Sequence, residues 1–328
     1  MKIIALVAKE KVEKFTDFQM VPKKADIVYY RSDEKEKMAK EAADAEVLLV
    51  NAMTPVGDDL ISVFPNLKMV HSEGVAYNKI DLDAAKKKGI YVCNAKGANA
   101  GQVAEHAIML MMNVIKHYEE GLVEIRKGNQ KDIQGKFISS GLSDLGAKSV
   151  GIVGFGAIGR ELAKRLKPFG CKLYYYDPFP ADAKTEEELG ISKLGFEEIL
   201  KTCDVVSMHL PVTPETTGII NKDTLGMMKK DAVLINTARG EIVNTKDLAD
   251  AIKAGTIAGA GIDTLAPEPV TADNPLVSLE APYSYKVVLT PHTAGTTFSA
   301  FRNMYKIFWT NVSLLQKGEK PSTVVNGL

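Results

Sequence analysis

Cysteine is scarce in this chain: only Cys93, Cys171 and Cys203 occur in 328 residues, far from one another. Isolated thiols flanked by strand or helix residues build neither a disulfide framework nor a C-x-x-C metal site. Reduced, buried thiols are expected, which suits a cytoplasm. Net charge is missing too, with 41 basic side chains against 41 acidic ones. No field therefore draws the chain to nucleic acid or to an anionic membrane, and Lys86-Lys87-Lys88 reads as a solvated helix face. No stretch approaches the ~18 apolar residues of a membrane span. The opening MKIIALVAKE is too briefly apolar for a secretory signal and reads as a first strand. H-E-x-x-H and G-x-S-x-G are absent, so zinc and serine-nucleophile chemistry have no support and no metal is expected.

What is present is an ordinary globular composition, 45% hydrophobic and 25% charged, in a chain longer than one core usually serves, so two domains are expected. Short apolar, β-branched stretches at 3–8, 26–30, 46–50, 68–72 and 90–94 alternate with helix-favouring stretches such as 34–45 and 82–88. Repeated strand–helix–strand units predict a parallel sheet covered on both faces. The stretch 101–118 is helical in pattern but apolar nearly all round, the mark of a helix buried on more than one side. Met109, Met111 and Met112 in it read as packing residues. Residues 121–144 are polar and glycine-rich and read as an irregular arm.

A second alternating series follows, with strands at 149–155, 172–177, 205–210, 233–237, 257–263 and 287–290 and helices including 158–166, 196–201 and 246–254. One last helix, 298–315, is too short for a domain of its own and is expected to return to the first. The expected fold is α/β with two doubly wound parallel sheets. A Rossmann domain at 99–295 would be inserted in a flavodoxin-like substrate domain made of 1–98 and 296–328.

VGIVGFGAIGRELAKRL carries G-x-G-x-x-G at Gly154, Gly156 and Gly159. The first glycine allows the tight strand-to-helix turn, the second a close approach of a diphosphate, the third close packing of helix on strand. The diphosphate would meet the N–H groups of Ala157 and Ile158 at the positive end of the helix. Alone the motif is weak, but it follows an apolar strand, opens an amphipathic helix and is followed by Asp177 at the end of KLYYYD. A carboxylate there accepts hydrogen bonds from ribose hydroxyls and repels a 2′-phosphate, so the expected cofactor is NAD. The plain alternative is a surface aspartate opening the Asp177-Pro178 turn.

Ligands of open parallel sheets bind at the carboxyl ends of the strands. Those ends carry Asp177, His209 with Pro211, Thr237-Ala238-Arg239, Asp263 with Glu268, and His292. Arg239 suits a substrate carboxylate because its planar fork makes two parallel bonds and stays charged. His292 suits acid/base work on an oxygen near neutral pH, with Glu268 to orient the ring. Plain readings stand beside these: a capping arginine, an exposed loop acid, a satisfied loop histidine. His106 and His117, on the long apolar helix, read as structural.

At this point the chain resembles the D-isomer-specific 2-hydroxyacid dehydrogenases. The likeness covers nearly its whole length and rests on EGVAYNKIDLDAAKKKGI, NAKGANAGQVAEHA, VGIVGFGAIG, HLPVTPETTGIIN, NTARGEIVN, AGAGIDTLAPEP and LTPHTAG. The resemblance implies hydride transfer between NAD and C2 of a small 2-keto or 2-hydroxy acid, with product of D configuration. It implies a catalytic set of Arg239, Glu268 and His292. Asp263 would contact the nicotinamide carboxamide, Thr237 and Ala238 would lie along its ribose, and His209 and Pro211 would flank the adenosine. The turn of Gly74, Val75 and Ala76 would offer backbone N–H groups to the substrate carboxylate. A homodimer built through 101–144 is implied as well.

Departures from the family pattern gather in and near the substrate turn: Ala76, Asn78 and Lys79 replace a frequent glycine and Asp-Asn, Glu73 is an acidic neighbour to an anion site, and in the next loop Lys96 replaces a frequent proline. These changes bear on the substrate side chain, for which Asn51, Ala52, Met53, Thr54, Tyr77, Phe298 and Phe301 are the candidate contacts. Two alternatives share the fold. An NAD-sensing corepressor would be expected to carry long tails, and this chain stops at Leu328. A short-form phosphoglycerate dehydrogenase is a specialisation within the same chemistry. Formate dehydrogenase fits less well, since that branch pairs its histidine with glutamine.

Overall fold

Five short strands, β1 (Lys2–Leu6), β2 (Asp26–Tyr29), β3 (Val47–Val50), β4 (Met69–Ser72) and β5 (Tyr91–Cys93), pair in parallel in the order β2-β1-β3-β4-β5. That is the flavodoxin-like order. β3 and β4 are buried along their whole length, as unbroken apolar runs such as VLLV require when both faces of a sheet are covered. Alternate residues serve two cores: Ile4, Leu48 and Val70 face one, and Ile3, Leu49 and Met69 the other. The second core is closed by the helix Phe298–Gln316 through Tyr305, Phe308, Trp309 and Val312, one stripe at helical spacing. Both ends of the chain therefore belong to one unit, Met1–Asn99 with Thr296–Leu328, in this computed structural model, which describes every residue from Met1 to Leu328.

The second unit, Ala100–Gly295, holds seven parallel strands: β6 (Ser149–Val153), β7 (Lys172–Tyr176), β8 (Ile191–Lys193), β9 (Val205–Met208), β10 (Val233–Asn236), β11 (Gly259–Ile262) and β12 (Val287–Leu289). Their order is β12-β11-β10-β9-β6-β7-β8. The chain runs outward one way from β6 through β7 and the other way through β9, so β6 and β9 bound the crevice where such sheets bind ligands. The helix Ala100–Ile115 lies against this sheet. Gly261 makes room for it, since a Cβ there would stand 2.8 Å from the Cβ of Leu110.

Three expectations need correction. The arm at 121–144 is not irregular: it forms the helices Tyr118–Arg126 and Gln130–Ser140. Its glycine content misleads because Gly121 marks a close helix approach, where a Cβ would stand 3.3 Å from the Phe137 ring. The apolar helix does not run through to residue 118 but ends at Ile115, and His117, at a left-handed φ of 51°, turns the chain into the next helix. β8 is a seventh strand where six were read, because Ile191–Lys193 is a three-residue edge with two exposed residues and shows no alternation.

Candidate active site

The six strands of the larger sheet read from sequence stop one or two residues short of their expected ends, and the residues that follow fold over the rim. Gly154, after β6, has a φ of +99° that excludes a side chain, and a Cβ there would collide with His209 O at 2.6 Å. Gly159 packs so closely that its Cβ would lie 2.3 Å from Gly154 O, whereas a Cβ on Gly156 would meet nothing within 4 Å. The open space thus lies over Gly156, at the N-terminus of the helix Ala157–Leu166. No protein acceptor takes the N–H groups of Ala157 and Ile158. An anion fits there. Asp177 stands across the turn, accepting from Phe155 N at 2.7 Å and Phe179 N at 2.8 Å, so its carboxylate is fixed at the end of β7.

Three buried polar atoms in this unit lack any partner: His209 Nδ1, Thr237 Oγ1 and Thr264 Oγ1. A buried polar atom left unsatisfied costs about 1–3 kcal/mol, so three along one rim point to a polar ligand. His209 Nε2 is taken by Ser207 Oγ at 2.8 Å. Burial lowers the pKa of this imidazole from 6.5 to about 4, so it is neutral at pH 7. Glycine turn, fixed carboxylate and orphaned atoms together fit a dinucleotide.

After β10, Asn236 locks the next three residues, its Oδ1 accepting from Ala238 N at 3.0 Å and its Nδ2 donating to Arg239 O at 2.9 Å. The Arg239 guanidinium is half-buried, donates to Ala238 O at 2.6 Å and pairs with no carboxylate of the protein. An unpaired, partly desolvated guanidinium is a site for an anion. His292 lies beyond β12 with a left-handed φ of 54°. Its main-chain N–H is held by Asp263 O at 2.8 Å and Thr290 O at 3.0 Å. Its Nδ1 faces both oxygens of Glu268, at 2.9 and 3.0 Å, which leaves Nε2 for a ligand. Arg239, Glu268 and His292 all belong to this one unit.

Asp263 has a task that sequence reasoning did not foresee. Its carboxylate is buried, which by itself would raise its pKa. Hydrogen bonds from His106, Thr290 and the N–H groups of Thr293 and Ala294 outweigh burial and hold it down at about 2. Thr290 Oγ1 donates at 2.5 Å, Thr293 N at 2.9 Å and Ala294 N at 3.0 Å, with His106 Nε2 3.4 Å away. The anion therefore staples the segment that carries His292. Asn236 and Ser207 are other supports missed from sequence, as is the unpartnered Thr264 hydroxyl, and His106, read as structural, serves here. A polar residue closing a buried strand, as Asn236 closes VLIN, was the available signal.

In the smaller unit, the turn after β4 has its carbonyls directed inward. Gly74 O accepts from Ala95 N at 2.8 Å, Val75 O from Asn94 Nδ2 at 2.6 Å and Ala76 O from Ser72 Oγ at 2.7 Å. The N–H groups of Gly74, Val75 and Ala76 meet no protein acceptor. Among the candidate specificity residues of this unit, Met53 and Phe298 are exposed, while Thr54 is buried.

Comparison with known proteins yields a consistent result. Residues 108–294 match the NAD-binding domain of the D-isomer-specific 2-hydroxyacid dehydrogenases. A glyoxylate reductase of Korarchaeum cryptofilum is 34% identical over 292 residues, covering 89% of this chain and 86% of that protein. A D-3-phosphoglycerate dehydrogenase of Archaeoglobus fulgidus is also 34% identical, but the chain spans only 53% of its length. The crystal structure of a D-lactate dehydrogenase with NAD+ from Lactobacillus jensenii superposes with a TM-score of 0.83 at 28% identity, covering 99% of both chains.

Proposed function

Because the chain belongs to the D-isomer-specific 2-hydroxyacid dehydrogenase family, we propose that Arg239, Glu268 and His292 carry its reaction. That reaction is the NAD-dependent reduction of a small 2-keto acid to the D-2-hydroxy acid, and its reverse. The observation that carries the assignment is the unpaired Arg239 guanidinium in the same unit as an imidazole held by a carboxylate. Arg239 binds the substrate carboxylate through its fork. His292 donates a proton from Nε2 to the C2 oxygen during reduction and takes one back during oxidation. Glu268 keeps Nδ1 protonated and aims the ring. Bound NADH supplies the hydride for C2. Gly154, Gly156, Ala157, Ile158 and Gly159 cradle the diphosphate and Asp177 takes the ribose hydroxyls. His209 and Pro211 flank the adenosine, Thr237 and Ala238 line the nicotinamide ribose, and Asp263 closes that end. The free N–H groups of Gly74, Val75 and Ala76 take the substrate carboxylate.

Assembly as a homodimer through 101–144 belongs to the same proposal. The helices Tyr118–Arg126 and Gln130–Ser140 border an apolar hollow of about 790 Å³ lined by Leu122, Ile125, Ile133, Phe137 and Ile138. Ile125 and Ile138 are exposed to 57% and 75%, more apolar surface than a free arm tolerates. No helix is long and apolar enough to cross a membrane, and we place the enzyme in the cytoplasm. The test is oxidation of NADH with glyoxylate, pyruvate, hydroxypyruvate and 2-ketoisocaproate, with chiral analysis of the chiral products. Turnover giving the D product is expected. No turnover with any of them, or an L product, overturns the reading.

A further inference from the structure

The turn proposed to bind the substrate carboxylate has an acid immediately before it. Glu73 is only 7% exposed. A lone carboxylate there would repel the anion that the N–H groups of Gly74, Val75 and Ala76 are placed to attract. The structure answers that charge from two directions. Tyr305, on the Phe298–Gln316 helix, donates its hydroxyl to Glu73 Oε2 at 2.8 Å. Burial, and then the Glu73 charge, push its phenol pKa up, so it stays a neutral donor. Lys11, on the helix Lys9–Phe15, makes a close ion pair with Glu73 Oε1 and sits 4.4 Å from the centre of the Phe301 ring. The neighbouring Lys9 is engaged with Glu13 at 3.6 Å, so Lys11 is the cation that serves Glu73.

We propose that Lys11 is a positioning and counter-charge residue for substrate binding. It cancels the negative charge beside the carboxylate-binding turn and, with Tyr305, anchors the residue that leads into the turn to the two helices. This rests on the reading of Gly74–Ala76 as the carboxylate site. It explains how the chain tolerates Glu73 where an anion must dock. A purely architectural role would need the contacts of Lys11 but not its charge, and the two are separable because Glu73→Gln removes the need for a cation while keeping the side chain's shape.

The experiment is steady-state kinetics of glyoxylate reduction by the wild type, Lys11→Met, Glu73→Gln and the double variant, with melting temperatures in parallel. Lys11→Met leaves an uncancelled carboxylate near the substrate, so the keto-acid KM should rise about tenfold or more while the KM for NADH holds. Glu73→Gln leaves an uncancelled cation and should lower the keto-acid KM. Adding Glu73→Gln to Lys11→Met should recover most of the loss, although both side chains of the pair are then gone. A double variant as poor as Lys11→Met, or a Lys11→Met with unchanged KM, overturns the proposal. If Lys11→Met does not fold, the other two variants decide: a raised KM in both means contacts matter and charge does not. A wild type that reduces no keto acid would refute the function itself, an outcome distinct from failure of the variants alone.

Discussion

At the carboxyl ends of β9, β10 and β11 several side chains are left with unspent bonds, whereas at the carboxyl end of β4 the side chains are spent and main-chain N–H groups are free. In the larger unit the Arg239 guanidinium has no carboxylate, and His209, Thr237 and Thr264 each keep an unpaired buried atom. In the smaller unit Glu73 is held by Lys11 and Tyr305, His71 lies between Ser72 O and Asn311 Nδ2, and Asn94 and Ser72 are committed to the turn's carbonyls. The difference separates two ways of making a site. One keeps side-chain valence in reserve for a ligand, and the other uses side chains to hold backbone donors in place. Substitutions on the first rim should therefore strike kinetics, and those on the second should strike stability or substrate KM.

The largest effect should come from spoiling the reserve at Arg239. Lysine keeps the charge but loses the two parallel bonds, so Arg239→Lys should raise the keto-acid KM and lower kcat, together about 100-fold or more in kcat/KM, with NADH affinity little changed. Stopped-flow NADH titration beside steady-state kinetics checks this. A fall in NADH affinity with keto-acid kinetics intact would move Arg239 to the cofactor side.

A smaller effect is expected on the spent rim. Burial lowers the pKa of His71 from 6.5 to about 4, against the hydrogen bond to Ser72 O. Between those values the unfolded chain binds a proton that the folded chain refuses. The stability this neutral ring contributes is thus complete above pH 6.5 and declines as pH falls toward 4. The loss should reach about 2 kcal/mol by pH 5. Urea midpoints at pH 7 and pH 5 should separate accordingly, and His71→Asn should narrow the gap. A gap equally wide in the variant would place the acid sensitivity elsewhere.

The smallest of these effects sharpens the cofactor end of the first rim. With both oxygens of Asp177 fixed by backbone N–H groups, a 2′-phosphate should cost at least ~1–3 kcal/mol. NADH should accordingly be preferred over NADPH by about tenfold or more in kcat/KM. Equal efficiency would remove Asp177 from the ribose site.

Sequence reading reached the two sheets because their strands are buried on both faces and read as apolar runs. It overran their ends because apolarity does not tell a last paired residue from the first that bends over the rim, as at Phe155 and Leu210. It missed β8, whose side chains are mostly solvated, and the arm helices, where Gly121 serves packing. Arg239, Glu268 and His292, the proposed catalytic set, could be picked out because that chemistry demands rare residue types at strand ends. Their supports could not: that Asp263 staples Thr293 and Ala294, that His106 reaches Thr290, and that Lys11 meets Glu73 across 62 positions are facts of tertiary structure.

The central claim is that Glu268 and His292 act as one acid/base unit, and the kinetics of Glu268→Gln test it most directly. Both oxygens of Glu268 face Nδ1, which turns Nε2 toward the substrate. Glutamine keeps the shape but not the charge, so kcat should fall about tenfold or more for keto-acid reduction and for hydroxy-acid oxidation alike, with NADH affinity unchanged. His292→Ala is the control and should lose most activity in both directions while still binding NADH. An unchanged kcat in Glu268→Gln would contradict the account, leaving Glu268 a solvated loop acid and His292 oriented by something else.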